Sequence, residues 1–212
     1  MHICGRRILE LLNGRTEEIG IEKGGRPFFT RRHADFSISH SRSMAALAYW
    51  AEKKPETGLP FRTGCDIQHV KPIKNFGEIA RRYFSPEEQH YIAAASGEPE
   101  QLGRFYQLWV LKECFLKAQG LSVFDMPDAP SFAGPDGLAR ETNLPLHFFL
   151  YELGDEAGEN NTERYLLAAA RENDGAYCPP PEFRWFSEPM PLRSITAIKA
   201  VVNPVNTVSP NI

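Results

Sequence analysis

Two short stretches carry residue types that could hold a hard cation and an anion together. In "GCDIQ", residues 64–68, Asp66 and Gln68 stand two apart; in "LWVLKECFLKAQG", residues 108–120, Lys112, Glu113 and Lys117 follow one another within two helical turns. A carboxylate and an amide on one strand face, near a helix bearing a glutamate and two lysines, suit a cation that bridges phosphates. Such a cation needs few protein oxygens, room for water, and basic side chains for the remaining charge. Phosphoryl chemistry asks a protein chiefly for positioning and charge neutralisation. A nearby carboxylate then serves as the base that a hydroxyl nucleophile requires.

The elements that must position these groups can be read from periodicity. "FRTGCDIQHV" reads as a strand, with Gly64, Asp66 and Gln68 on one face and Cys65 and Ile67 on the other. The later stretch predicts a helix over 102–119, ended by Gly120. At about 100° per residue, Phe105, Leu108, Trp109, Leu111, Phe115 and Leu116 fill one arc, and Lys112 lies inside it. An ammonium in an apolar arc either snorkels to water or meets an anion. Glu113 and Lys117 on the flank form at the least an i,i+4 pair. The polar face of the strand favours the anion, and a phosphate would serve.

Around these two elements the chain alternates strands and helices. "RRILELLNG" predicts a short helix, "IEKGGRPFF" a turn leading into an extended segment, and "DFSISHS" and "MAALAYWA" two strands, the second apolar on both faces and so interior. "IKNFGEIARRYF" is helix-like. "SPEEQHYIAAAS" opens with Ser85 as N-cap and Glu88 closing a capping box, with Gly97 as its end. Beyond a Pro/Gly-rich loop, "LHFFLYEL", "RYLLAAARE" and "FRWFSE" read as strands, and "NPVNTVSPNI" as a loose tail. This order predicts an α+β fold, with helices covering an antiparallel sheet.

The bulk properties of the 212 residues narrow the function classes. With 42% apolar residues a packed core is affordable, and the net charge of −3 supplies no global basic field, so nucleic-acid binding is not expected. Cys4, Cys65, Cys114 and Cys178 form no metal or disulfide spacing. The longest apolar run is far too short for a bilayer, and the chain reads as cytoplasmic, with no membrane partner.

Four stretches, in this order and at about this spacing, carry a resemblance: "GGRPFF" (24–29), "FSISHS" (36–41), "GCDIQ" (64–68), and "RRYFSPEE" (81–88) followed by "WVLKECFLKAQG" (109–120). Together they resemble the 4'-phosphopantetheinyl transferases, specifically the larger single-chain type typified by the surfactin-synthetase activator. The resemblance implies two similar α/β lobes in pseudo-twofold arrangement, with coenzyme A in the cleft between them. The expected division is 1–60 for a small N-terminal lobe, 61–202 for a C-terminal lobe with the metal site, and 203–212 for the tail. It implies Mg²⁺-dependent transfer of the phosphopantetheine arm to a serine of an acyl or peptidyl carrier protein, releasing adenosine 3',5'-bisphosphate. A monomer is expected.

By motif position, the resemblance makes Asp66 and Glu113 the magnesium ligands, with Glu113 also activating the serine hydroxyl. Lys117 and Lys112 are expected on phosphate oxygens, and Arg26, Ser39 and His40 on the coenzyme's 3'-phosphate. On that reading Lys112 points into the cleft between lobes. Two departures stand out: Gln68 replaces a second carboxylate and leaves the third ligand to its amide oxygen or to water, and the chain begins close to "CGRRILELL", without the first strands of longer relatives. They motivate the alternative of a catalytically idle member that binds coenzyme A or a carrier protein without turnover.

Overall fold

The structure, a computed structural model, describes residues 18–134, 137–138, 145–154, 163–173, 178, 180–182 and 194–197. The predicted helix at 6–14, the predicted strand at 183–188 and the tail at 203–212 lie outside the described residues.

A short ladder of β1 (Ile19–Ile21) and β2 (Pro27–Phe29) is followed by the antiparallel hairpin of β3 (Asp35–Ser41) and β4 (Met44–Trp50). Next come β5 (Thr63–His69) and three helices, α1 (Phe76–Tyr83), α2 (Pro86–Ala93) and α3 (Glu98–Gln119). A 3₁₀ turn over Val123–Asp128 leads to the two-residue strands β6 (Ala133–Gly134) and β7 (Gly137–Leu138). The chain then forms β8 (Leu146–Gly154), β9 (Tyr165–Glu172) and β10 (Ser194–Ala197). The main sheet is antiparallel in the order β10, β8, β9, β5.

Strict alternation along β8 and β9 divides the core in two. Leu146, Phe148, Leu150, Leu166, Ala168 and Ala170 pack beneath the helices with Leu108, Leu111 and Phe105. Phe149, Tyr151, Leu153, Tyr165 and Leu167 point the other way, joining Cys65 and Ile67 against Met44, Ala46, Ala48 and Trp50 of β4. The result is mixed α/β, with helices on one face of an antiparallel sheet and a hairpin on the other. β4 is half-buried along its whole length rather than interior as its composition predicts: one face packs on the sheet, and Leu47 and Tyr49 on the other pack against a small cluster of Phe29, Ala34 and Phe36. Only strands occur among the described residues of 18–60.

The free edge of β5 is finished by side chains rather than by another ladder. Thr63 N donates to Asp35 Oδ2 at 2.7 Å, Ser39 Oγ donates to Asp66 Oδ1 at 2.7 Å, and His69 N donates to Ser41 Oγ at 2.9 Å. Both residue numbers rise together, so β3 runs beside β5 in the same direction.

Gly97 starts α3 instead of ending α2, which stops at Ala93 with Ala94 as its cap. Pro99 in the first turn and Glu98 and Glu100 beside the helix's positive end favour that start. At the other end Gly120, at φ 73°, closes a Schellman motif, with Leu121 N donating to Leu116 O at 2.8 Å.

Candidate active site

The site is made where β5 presses on α3. A methyl group on Gly64 would collide with the Cys114 carbonyl oxygen and touch Ala118 Cβ at 3.0 Å. Glycine therefore lets strand and helix approach until Asp66, two residues on and on the same face, meets the helix's polar flank. Asp66 is 1% exposed. Its Oδ1 accepts from Lys117 Nζ at 2.6 Å and from Ser39 Oγ; its Oδ2 accepts from Gln68 Nε2 at 3.2 Å. Lys117 Nζ also donates to Ser39 Oγ at 2.9 Å, closing a triangle of ammonium, hydroxyl and carboxylate.

Glu113 lies on the same side of the helix. Residues 113 and 117 are separated by about 40° around the axis. Burial pushes the Glu113 carboxyl above its ordinary range, the negative charge of Asp66 pushes it further, and Lys117 pulls it back. Lys117 is held up in turn: burial lowers its ammonium, but the Asp66 charge and hydrogen bond, with Glu113 adding to them, raise it overall. Two carboxylates thus share one lysine. A cavity of about 410 Å³ opens beside this cluster, lined by Ser41, Arg42, Gln68, His69, Lys71 and Tyr106.

The donor set fits a hard divalent cation. Asp66 and Glu113 could each offer a carboxylate oxygen and Gln68, whose Nε2 here donates to Asp66, its amide oxygen after a turn of the amide, and the mutual repulsion of the two carboxylates is what a cation would relieve. No group of three or more His, Cys, Asp or Glu side chains placed to hold a metal ion occurs among the described residues, so such an ion would also rely on water and substrate oxygens.

Lys112 is the correction. Its side chain is fully shielded and pairs with Glu88 Oε2 at 3.1 Å, with Ala129 O and Pro130 O each at 3.3 Å. The reason is helical phase: one residue from Glu113 is about 100°, which turns Lys112 out of the polar flank and into the core. The snorkel-or-phosphate choice omitted a buried partner. Glu88 was visible as the capping-box residue, and it still plays that part, bonded to Ser85 N at 2.9 Å while its other oxygen accepts from Phe132 N at 2.8 Å.

Arg26 is near the cluster but engaged. Its guanidinium binds both oxygens of Asp35, at 2.9 and 2.5 Å, and donates to Thr63 O at 2.9 Å and Lys117 O at 3.0 Å. It is 7% exposed, with its guanidinium turned to these internal acceptors. Ser39 is buried against Asp66, whereas His40, its neighbour on β3, is exposed. Asp35 and Arg62 are functional-site neighbours that sequence reasoning missed; an aspartate opening a strand of alternating burial was the available signal for the first.

Comparison with known proteins settles the family. The family model described as the 4'-phosphopantetheinyl transferase superfamily matches residues 62–170, just over half of the chain. The chain belongs to the 4'-phosphopantetheinyl transferase superfamily. It is 28% identical over 166 residues to the 4'-phosphopantetheinyl transferase HetI of Nostoc sp., covering 72% of this chain and 65% of that protein. It is 38% identical over 87 residues to the 4'-phosphopantetheinyl transferase Sfp of Bacillus subtilis, covering 41% of this chain and 34% of Sfp. A third relative, the 4'-phosphopantetheinyl transferase AcpT of Salmonella typhimurium, is 28% identical over 130 residues, with 61% and 63% coverage. The chain spans about half of a further Synechocystis sp. relative and less than two thirds of each of these three. Within this superfamily member, β5 and α3, which carry Asp66, Gln68, Glu113 and Lys117, both fall inside the matched region. No helix among the described residues is long and apolar enough to cross a membrane.

Proposed function

We propose that this protein transfers the 4'-phosphopantetheine arm of coenzyme A to a serine of an apo acyl or peptidyl carrier protein, with Mg²⁺, releasing adenosine 3',5'-bisphosphate. The observation that carries the reading is the part-buried Asp66–Lys117–Ser39 triangle with Glu113 beside it, in a chain of this superfamily. The names of HetI, Sfp and AcpT support the same activity.

Asp66 and Glu113, with Gln68, would hold the cation, which supplies charge neutralisation at the coenzyme's pyrophosphate. Lys117 and Ser39, which meet at Asp66, would receive phosphate oxygens, and His40 stays assigned to the 3'-phosphate. In the transfer the serine Oγ forms a bond to the pantetheine phosphorus. The bridging P–O bond breaks, its electron pair leaves on adenosine 3',5'-bisphosphate, and the serine proton passes to Glu113 directly or through water. The cavity beside Gln68 gives the substrate room next to these groups.

The two-lobe pseudo-twofold arrangement, divided at about residue 60, belongs to the same proposal, as do a monomeric state and a cytoplasmic setting. The test is intact-mass measurement of apo carrier proteins incubated with the protein, coenzyme A and Mg²⁺. A mass gain of one phosphopantetheine that vanishes with a chelator is expected. Coenzyme A binding without any gain on several carriers would instead establish the idle-binder reading, which Gln68 at a carboxylate position favours.

A further inference from the structure

Arg26 does more than fill a buried site. Its carboxylate partner, Asp35, opens β3; Thr63, whose carbonyl it binds and whose N–H Asp35 binds, opens β5; and Lys117 O belongs to the last turn of α3. One guanidinium therefore fixes three elements that converge on the candidate site. The turn before it is seated by close contact, since a methyl group on Gly24 would collide with the Gly120 carbonyl oxygen. Beside it Arg62 Nε donates to Ala118 O at 2.9 Å while its two terminal nitrogens hold Glu22. Two arginines thus satisfy the final carbonyls of α3, where the helix dipole is negative.

Lys117 is consequently gripped at both ends, by Arg26 at its carbonyl and by Asp66 and Ser39 at its ammonium. A lysine stem has four rotatable bonds, so the place its ammonium can reach depends on where the backbone is pinned. Arginine suits the pin because its planar fork serves acceptors on three elements in different directions, which a lysine ammonium at the same place does not reach together. We infer that Arg26, with Asp35, is a positioning residue that sets Lys117 against Asp66 and Ser39, and so sets the coenzyme phosphate that Lys117 receives. The inference rests on the proposed reading that Lys117 meets such a phosphate.

The experiment is a double-mutant cycle read by calorimetric titration of coenzyme A with Mg²⁺. Arg26→Lys is made alone and together with Lys117→Ala. Because Arg26→Lys strains a buried pair, Arg26→Gln/Asp35→Asn, which removes both charges, is run in the same two backgrounds, and melting curves confirm folding. With Lys117 present, each change is expected to weaken coenzyme binding roughly tenfold; with Lys117→Ala, less than about twofold. Equal losses in both backgrounds, with coenzyme bound normally by the wild type, would overturn the positioning role alone. A wild-type protein that binds no coenzyme would overturn the underlying reading, and this inference with it.

Discussion

Lys112 and Glu88 meet at 3.1 Å with neither side chain touching solvent, and their polar atoms also bond the backbone of residues 85, 129, 130 and 132. Removing one partner strands a buried charge. Lys112→Ala is expected to cost about 3–5 kcal/mol in chemical denaturation, and Lys112→Met/Glu88→Gln to recover most of that. The double variant should keep the wild-type affinity for coenzyme A, the outcome that separates a core ion pair from a phosphate ligand.

The contact of Gly64 with the Cys114 carbonyl predicts a second effect. Gly64→Ala wedges β5 away from α3, costing about 1–3 kcal/mol of stability as over-packing does. The same movement carries Asp66 away from Glu113 and Lys117. Calorimetry should therefore show Mg²⁺-dependent coenzyme binding falling further than the change in melting temperature alone would suggest.

Glu113 is held above its ordinary pKa of 4.5 in the folded chain. Between that value and the raised one, the folded state binds more protons than the unfolded state, so this group makes stability fall as pH rises through the window. Glu113→Gln removes the penalty. In chelator the variant should melt higher than wild type at neutral pH, with the gap closing on acidification, while carrier modification is lost. A variant that melts lower at neutral pH would count against a penalty from burial and the Asp66 charge.

Burial pushes the Cys65 thiol up to about 12 and raises that of Cys114 as well. Thiolate is the reactive form, so neither should alkylate in the native state at pH 8. Peptide mapping after iodoacetamide treatment should find both unlabelled until denaturant unfolds the protein, with labelling following the global transition.

Much of this was legible beforehand, for reasons that differ by residue. Asp66 and Gln68 were placed on one strand face by period two alone, and Glu113 with Lys117 on one helix flank by period 3.6, so the cluster needed only that strand and helix touch. The capping box at Ser85 was equally readable, being a local hydrogen-bond pattern. Partner choice was not. Whether a buried cation meets substrate or another side chain depends on residues far off in sequence, and both Lys112 with Glu88 and Arg26 with Asp35 were decided that way. The boundary at Gly97 failed because a glycine can end one helix or begin the next, and Pro99 decided for the second.

The seam between β3 and β5 has a further consequence. A backbone ladder is built from atoms every residue carries, and tolerates almost any substitution; this join is built from Asp35, Ser39 and Ser41, each removable by a single codon. Neither the hairpin nor the main sheet depends on it for its own pairing. Packing of β4 on the sheet and the tie of Arg26 from Asp35 to Thr63 hold the two parts together, so these few side chains set only the fine spacing of the site, at a joint that point changes can adjust.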